Sequence, residues 1–322
     1  LFETKRGDQK IKSIPQVNRE SRILCSVCIA TYKRPQLLEN LLRSLINQLL
    51  PDTVDIEIIV VDNDINKSAE IVVRRFQHAS HFHFFYFHQP VKNISMTRNV
   101  GVKKSSGEYI LFIDDDEVAS TRWVSHLLNT LKIYNADGVF GKVEPEFNPQ
   151  TPKWMQHGEF FFHPVLATGD RARIKYTTNC IIKASLLRKL QQPFDPRYGL
   201  TGGEDVDLFD RLEEQGASFV YSVEALTWEY LPPTRTRLSY LFLRSLSMGY
   251  GHTLRMIIDA GGKKTFLRIL MIIKALCYGS ASVVMMIIFY PSKFHRTKWL
   301  MKLASNVGRF LNAIGWNYQQ YR

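Results

Sequence analysis

Two short stretches hold the residues best suited to chemistry: Ile110–Glu117, reading ILFIDDDE, and Gly202–Leu208, reading GGEDVDL. In the first, four apolar residues run straight into four carboxylates, so Asp114 stands at the end of an element built for burial. A solvated acidic loop would need no such anchor. Like charges fixed side by side repel unless a cation offsets them. The economical cation is Mg2+ or Mn2+, which takes hard oxygen ligands; magnesium uses one or two protein carboxylates and fills its shell with water and phosphate oxygens. Asp114 and Asp116 are the candidate ligands. The D-x-[DN]-x-[DN]-G spacing of an EF-hand is missing after Asp114.

In the second stretch two glycines precede Glu204 and Asp205, where a ligand can approach the backbone closely. Asp205 is a candidate general base there. Asp207 and Asp210 fit a plainer role, as acids that complement a helix dipole. Arg98 is the one Arg of a helical stretch ending just before ILFIDDDE; its guanidinium could hold a diphosphate, or form a surface pair with Asn99.

The elements that must position these groups alternate. ILCSVCIAT is a β-branched apolar run, followed by a polar turn with Pro35 and then Leu37, Leu38, Leu41, Leu42, Leu45 and Leu49 at helical spacing. DIEIIVVDND, FHFFYFHQP and EYILFIDDDE repeat the strand signal, with helices expected over SAEIVVRRFQH and SMTRNVGVKKSS. The expectation is an α/β fold with a mostly parallel, doubly wound sheet. Ligands of such sheets sit beyond the carboxyl ends of the strands, where Thr31–Arg34, Asp62–Asp64 and Asp114–Glu117 all fall. Neither GxGxxG nor a P-loop follows any of these strands, so metal and side chains would have to hold a phosphate. Further on, VEPEFNPQTPKW is expected as irregular loop, SFVYSVEALTWEYLPP as two short strands, and everything beyond Pro233 as helix.

The 322 residues carry a net charge of +12, but it is unevenly placed. Residues 231–322 hold 14 Lys/Arg against the single acid Asp259, while the preceding 230 residues hold 28 bases and 29 acids. A near-neutral body with a cationic appendage suggests a catalytic or binding body rather than a DNA-binding domain, and the apolar residues between the charges of the tail argue against nucleic acid. Of the four cysteines, Cys25 and Cys28 form a CxxC inside an apolar run without a second metal-binding pair, which reads as buried thiols. The first twenty residues lack a continuous apolar stretch, so no secretory signal is read there.

Taken in order, SVCIATYKRP, IEIIVVDND, ISMTRNVGVKKSSGEYILFIDDDE, YTTNCIIKASLL and GLTGGEDVDLFDRL resemble the family 2 glycosyltransferases and their GT-A nucleotide-sugar-binding fold, over roughly Ile23 to Pro233. LPPTRTRLSYLFLRSLSMGYG and the terminal GWNYQQYR resemble a bacterial branch that contains a succinoglycan glucosyltransferase. The resemblance implies that Thr31 and Arg34 lie by the nucleotide, that Asp62 accepts from a uracil base, and that Asp114 lies near the ribose. It implies Asp116 as the principal metal ligand of a DxD motif, Arg98 facing the diphosphate, Asn179 and Gly203 at the donor sugar and acceptor, and Asp205, paired with Glu204, as base. The reaction implied is metal-assisted single displacement, inverting the anomeric carbon of a UDP-sugar and delivering a hexose to a glycan on a polyprenyl diphosphate. Many relatives carry a His near TWEY, where this chain has Glu229 and Tyr230.

Residues 275–292, ALCYGSASVVMMIIFYPS, are free of charge and sit at the lower limit for a membrane span. Basic and apolar residues interleave around them, which suits a helical surface lying on anionic lipid at the cytoplasmic face of the inner membrane. The expected layout is an extension over 1–22, a catalytic domain over 23–233 and a helical region over 234–322. Competing readings are a non-catalytic nucleotide-sugar-binding protein, a nucleic-acid binder led by the tail, and a nucleotidyltransferase.

Overall fold

The computed structural model describes residues 22–79, 82–158, 160–161, 164–173, 175–316 and 318. All but Arg22 of the expected N-terminal extension, and most of GWNYQQYR, lie outside the described residues. The strands are β1 (Ile23–Thr31), β2 (Val54–Asp62), β3 (His83–His88), β4 (Tyr109–Ile113), β5 (Glu117–Ala119), β6 (Gly138–Phe147), β7 (Asn179–Lys183) and β8 (Phe219–Leu231). The helices are α1 (Pro35–Ile46), α2 (Glu70–Ala79), α3 (Ile94–Lys104), α4 (Trp123–Ile133), α5 (Lys153–Gln156), α6 (Ala184–Arg188), α7 (Glu204–Glu214), α8 (Leu238–Asp259), α9 (Lys264–Ile288) and α10 (Lys293–Ala313).

The strands form one sheet in the order β3-β2-β1-β4-β7-β6-β8-β5. From β3 to β4 every pairing is parallel, the doubly wound half that the alternation predicts. The other half is mixed: β7 runs against both β4 and β6, β6 and β8 run parallel, and β5 runs against β8. Two expectations change here. VEPEF is not loop but the second half of β6, and residues 219–231 form one strand rather than two. β7 pairs only with residues 138–140 of β6, so the segment carrying Pro145 has β8 as its partner and tolerates a residue that cannot donate.

Successive side chains of a strand point to opposite faces, and both faces of the central strands are covered. In β1, Cys25, Val27 and Ile29 pack into a core shared with α1, α2 and α4, whereas Cys28 faces the other way with α3, α6 and α7. In β4, Tyr109, Leu111 and Ile113 take the first side and Ile110 and Phe112 the second. The CxxC pair is thus split between two cores and buried on both; burial pushes the Cys25 thiol up to about 12. This parity also delivers the carboxylates, because β4 stops at Ile113 and the turn 114–116 carries the chain from mid-sheet to the far edge strand β5.

The C-terminal helices dock on this body. Leu231 and Leu241 pack with Met155 and Phe161, and Arg255 of α8 pairs with Asp210 of α7 at 2.7 Å. The uncharged stretch 275–292 is not one helix: α9 ends at Ile288 and a turn leads to α10. Helices α8 and α10 cross backbone to backbone, for a Cβ on Gly308 would lie 2.0 Å from Leu246 O and one on Gly249 would lie 1.9 Å from Ser305 O. Gly308→Ala therefore has to force the helices apart, at a cost of about 1–3 kcal/mol typical of overpacking. A lowered melting temperature for Gly308→Ala, against none for Gly262→Ala, where a Cβ meets nothing within 4 Å, is the expected outcome.

Candidate functional site

The carboxyl ends of β1 and β4 bring the first polar groups together. Thr31 ends β1 and donates through Oγ1 to Asp115 Oδ2 at 2.7 Å. Arg34, just before α1, donates through Nη1 to Asp115 Oδ1 at 3.0 Å and to Asp116 Oδ2 at 2.9 Å. Asp115 is thus the carboxylate that binds the turn to β1, a role that adjacency in DDDE does not distinguish from its neighbours. Burial, only partly opposed by Arg34, pushes its carboxyl up to about 6.

Arg98 organises the second group. From α3 its guanidinium reaches Asp114 Oδ1 at 3.2 Å through Nη2 and forms an ion pair through Nη1 with Glu204 at the start of α7. It also lies over the Phe194 ring, 5.9 Å from its centre. One side chain, 10% exposed, therefore ties the DDDE turn to the GGED loop. Asp205 follows Glu204, is half-buried, and accepts from the Val206 N–H at 2.8 Å. Burial raises the pKa of Asp205 and the Arg98 charge opposes the rise. Burial likewise pushes Glu204 up to about 7. The loop turns on Gly202 and Gly203, at φ 79° and 96°, left-handed values that glycine adopts freely. A Cβ on Gly203 would meet nothing within 4 Å, so the loop is open on that side.

The third group is one that sequence reasoning missed. Arg235, in the linker between β8 and α8, donates through Nη2 to Asp116 Oδ2 at 2.6 Å and through Nη1 to Glu229 Oε1 at 2.7 Å. Glu229 is the residue that stands where many relatives carry His. Burial first, and then the charge of Asp116, push it up to about 6. Opposite it across the β5–β8 pair is Glu117, 1% exposed, whose Oε2 has no hydrogen-bond partner and whose pKa burial drives well above the usual range. The only forward signal for Arg235 was its place two residues after the Pro232–Pro233 stop.

The cation that offsets the acidic turn in this structure is thus guanidinium, supplied by Arg34, Arg98 and Arg235. Among the described residues no group of three or more His, Cys, Asp or Glu side chains is arranged to hold a metal ion. The donor set nonetheless fits magnesium or manganese in kind. Asp116 and Glu229 converge on one cation, and such ions need only one or two carboxylates when phosphate and water complete the shell.

Two residues chosen from the sequence have other engagements. Asp62 is fully buried; Oδ1 accepts from the Asp64 N–H at 2.9 Å, and Oδ2 from the Ala69 N–H at 2.8 Å and the Tyr86 hydroxyl at 3.2 Å. It holds the turn after β2. Asn179 Oδ1 accepts from Trp123 Nε1 at 2.8 Å, while Nδ2 donates to Lys142 O, Ala225 O and Thr227 Oγ1 at 2.8–3.2 Å. It braces β6 and β8 and is not brought to the carboxylate cluster by any bond.

The family model "Glycosyl transferase family 2" matches residues 26–191. The chain is 31% identical over 288 residues to the succinoglycan biosynthesis protein ExoM of Rhizobium meliloti, covering 89% of this chain and 92% of that protein. It is 33% identical over 129 residues to a GalNAc(5)-diNAcBac-PP-undecaprenol beta-1,3-glucosyltransferase of Campylobacter jejuni, 38% of this chain and 40% of that one. The mannosyltransferase PcManGT of Pyrobaculum calidifontis, solved with GDP-Man and Mn2+, shares the fold at TM-score 0.61 and 16% identity, covering 91% of this chain and 88% of that one. Because the family model takes in the strands that carry the acidic turn and one relative aligns along nearly the whole length, the chain belongs to glycosyl transferase family 2, enzymes that transfer sugars, in the branch of ExoM.

Proposed function

We propose that this enzyme moves a hexose from a UDP-sugar to a glycan carried on a polyprenyl diphosphate, with inversion and with Asp205 as general base, in bacterial polysaccharide synthesis. One observation carries the reading: Arg98 ties Asp114 to Glu204, so the acidic turn is held against the loop that carries Asp205. A base must lie within reach of the hydroxyl it deprotonates while the donor is held in line. Thr31 and Arg34 flank the nucleotide, and Asp62 shapes the base pocket by fixing the turn that walls it. Gly203 leaves room for the acceptor. The acceptor hydroxyl gives its proton to Asp205 as its oxygen bonds to the anomeric carbon from the face opposite the diphosphate. The carbon–oxygen bond to the diphosphate breaks, and UDP leaves with that electron pair. Arg98 and Arg34 present guanidinium to the departing phosphates, a geometry suited to bidentate contact. Asp116, with Asp114 beside it, would hold a divalent ion, which would supply neutralisation of the charge that grows on the leaving group.

The same reading gives the layout of the chain: a catalytic body over 23–233 and a helical region over 234–322 that rests on the cytoplasmic face of the inner membrane. Residues 261–288 are long and apolar enough to cross a membrane, and little of that stretch is buried. Its seam against the protein is narrow, consisting of Met271, Ala275, Gly279 and Ser282. Phe266, Ile269, Ile273, Leu276, Val284 and Ile287 face outward. With Lys263, Lys264, Arg268 and Lys274 exposed around them, these residues suit an interfacial helix on anionic lipid.

Three outcomes test this reading. In a panel of UDP-, GDP- and dTDP-sugars with a lipid extract, Mn2+-dependent release of UDP is expected, and Asp205→Asn lowers kcat by about 10²–10⁴-fold, the usual contribution of a general base; equal rates for the two proteins would leave a binding protein or another base. Asp205 works only as the carboxylate, so kcat/KM falls as pH drops through its pKa. Arg98 holds that pKa down, so Arg98→Gln moves the acidic limb of the profile to higher pH; an unmoved limb removes Asp205 from the base role. Replacing Ile269, Ile273 and Ile287 together with Ser is expected to cut co-sedimentation with phosphatidylglycerol vesicles by more than about tenfold, given some 1.5–3 kcal/mol per buried side chain, and to leave the melting temperature in place because all three are exposed.

A further inference from the structure

Asp116 and Glu229 come from different elements, the turn after β4 and strand β8, yet a single guanidinium holds both. Glu117 adds a third carboxyl, directly across from Glu229 in the β5–β8 pair. Its Oε2 is buried and unpartnered. One guanidinium, already shared between Asp116 and Glu229, leaves this carboxyl oxygen unsatisfied. The position has the composition of a hard-cation site with an arginine in it.

We propose that Arg235 is an internal plug: in the donor-free enzyme its guanidinium occupies the place of the divalent ion between Asp116 and Glu229, and metal binding expels it. Glu229 then serves as the second protein ligand to the ion. This rests on the reading of Asp116 as a metal ligand. Arg34 keeps its own bonds to Asp115 and Asp116 and is not expelled, since Asp115, held in turn by Thr31, anchors it on the β1 side. Among the described residues Arg235 has no such anchor beyond its two carboxylates, and its backbone N–H donates locally, to Pro232 O at 2.9 Å. Because α8 begins three residues later, at Leu238, the two side-chain bonds of Arg235 hold the short linker 232–237 to the acidic turn, and expulsion releases it. The plug therefore links occupancy of the metal site to the linker that connects the catalytic body with the C-terminal helices.

The test is Mn2+ titration followed by the EPR signal of free Mn2+, without nucleotide or acceptor, so that it reads metal affinity rather than turnover. A site that is nine-tenths plugged binds with about a tenth of its intrinsic affinity. Arg235→Gln is thus expected to tighten Mn2+ binding about tenfold, and Glu229→Gln placed in the Arg235→Gln protein to reverse most of that gain. Unchanged or weaker binding in Arg235→Gln overturns the plug, and equal binding in the single and double variants overturns the role of Glu229. Wild-type enzyme gives an independent reading that needs no variant to fold: amide exchange over residues 234–238 is expected to quicken at saturating Mn2+, and exchange that stays constant overturns the proposal. The titration reads metal affinity without donor or acceptor, whereas the transferase reading is judged by UDP release and its loss in Asp205→Asn, so failure of the plug is distinguishable from failure of that reading.

Discussion

The structure depends on the fact that carboxylates packed at the end of a buried strand have to be met by fixed cations. Water cannot screen Asp115 or Asp116, each about 5% exposed, and an unpaired charge there would cost several kcal/mol. Arg34, Arg98 and Arg235 meet that demand from three elements that are far apart in sequence. Each arginine thereby fixes the element that carries it. Arg34 sets the entry to α1, Arg98 joins α3 to the start of α7, and Arg235 draws the linker after β8 over the acidic turn. The same bonds that neutralise the site assemble it.

Pairing does not make the site inert. Burial outweighs the arginines at Asp115, Glu204 and Glu229 and raises their carboxyls above the usual carboxylate range, to about 6, 7 and 6. Such displacement clusters where chemistry is done.

The parallel half of the sheet was legible because its inner strands are buried on both faces: the apolar runs of β1, β2 and β4 are nearly continuous, and the helices between them have regular apolar spacing. The GGED loop was legible for a similar local reason, two glycines at positive φ before an acidic first turn. The mixed half was not. Pro145 disguised β6, and only the short reach of β7 explains why a strand continues through it. Arg235 lies 119 residues from the carboxylate it holds, and no periodicity relates the two. Asp62 and Asn179 mark the opposite limit: their residue types suit a ligand, yet the fold employs their polar atoms in holding its own turns and strands.

The charge asymmetry of the chain takes on a sharper meaning in three dimensions. Counted along the sequence, residues 231–322 form one basic block suited to an anionic surface. In the fold the block divides. Arg235 and Arg255 turn inward, onto Asp116 and Glu229 and onto Asp210, while Lys263, Lys264, Arg268, Lys274, Lys293 and Lys298 remain exposed. The inward pair fastens the helices to the acidic body, and the outward set surrounds the apolar face of α9. Removing the helical region would therefore leave Asp116 and Glu229 without the cation that joins them. The helices are part of the electrostatics of the site as well as its support.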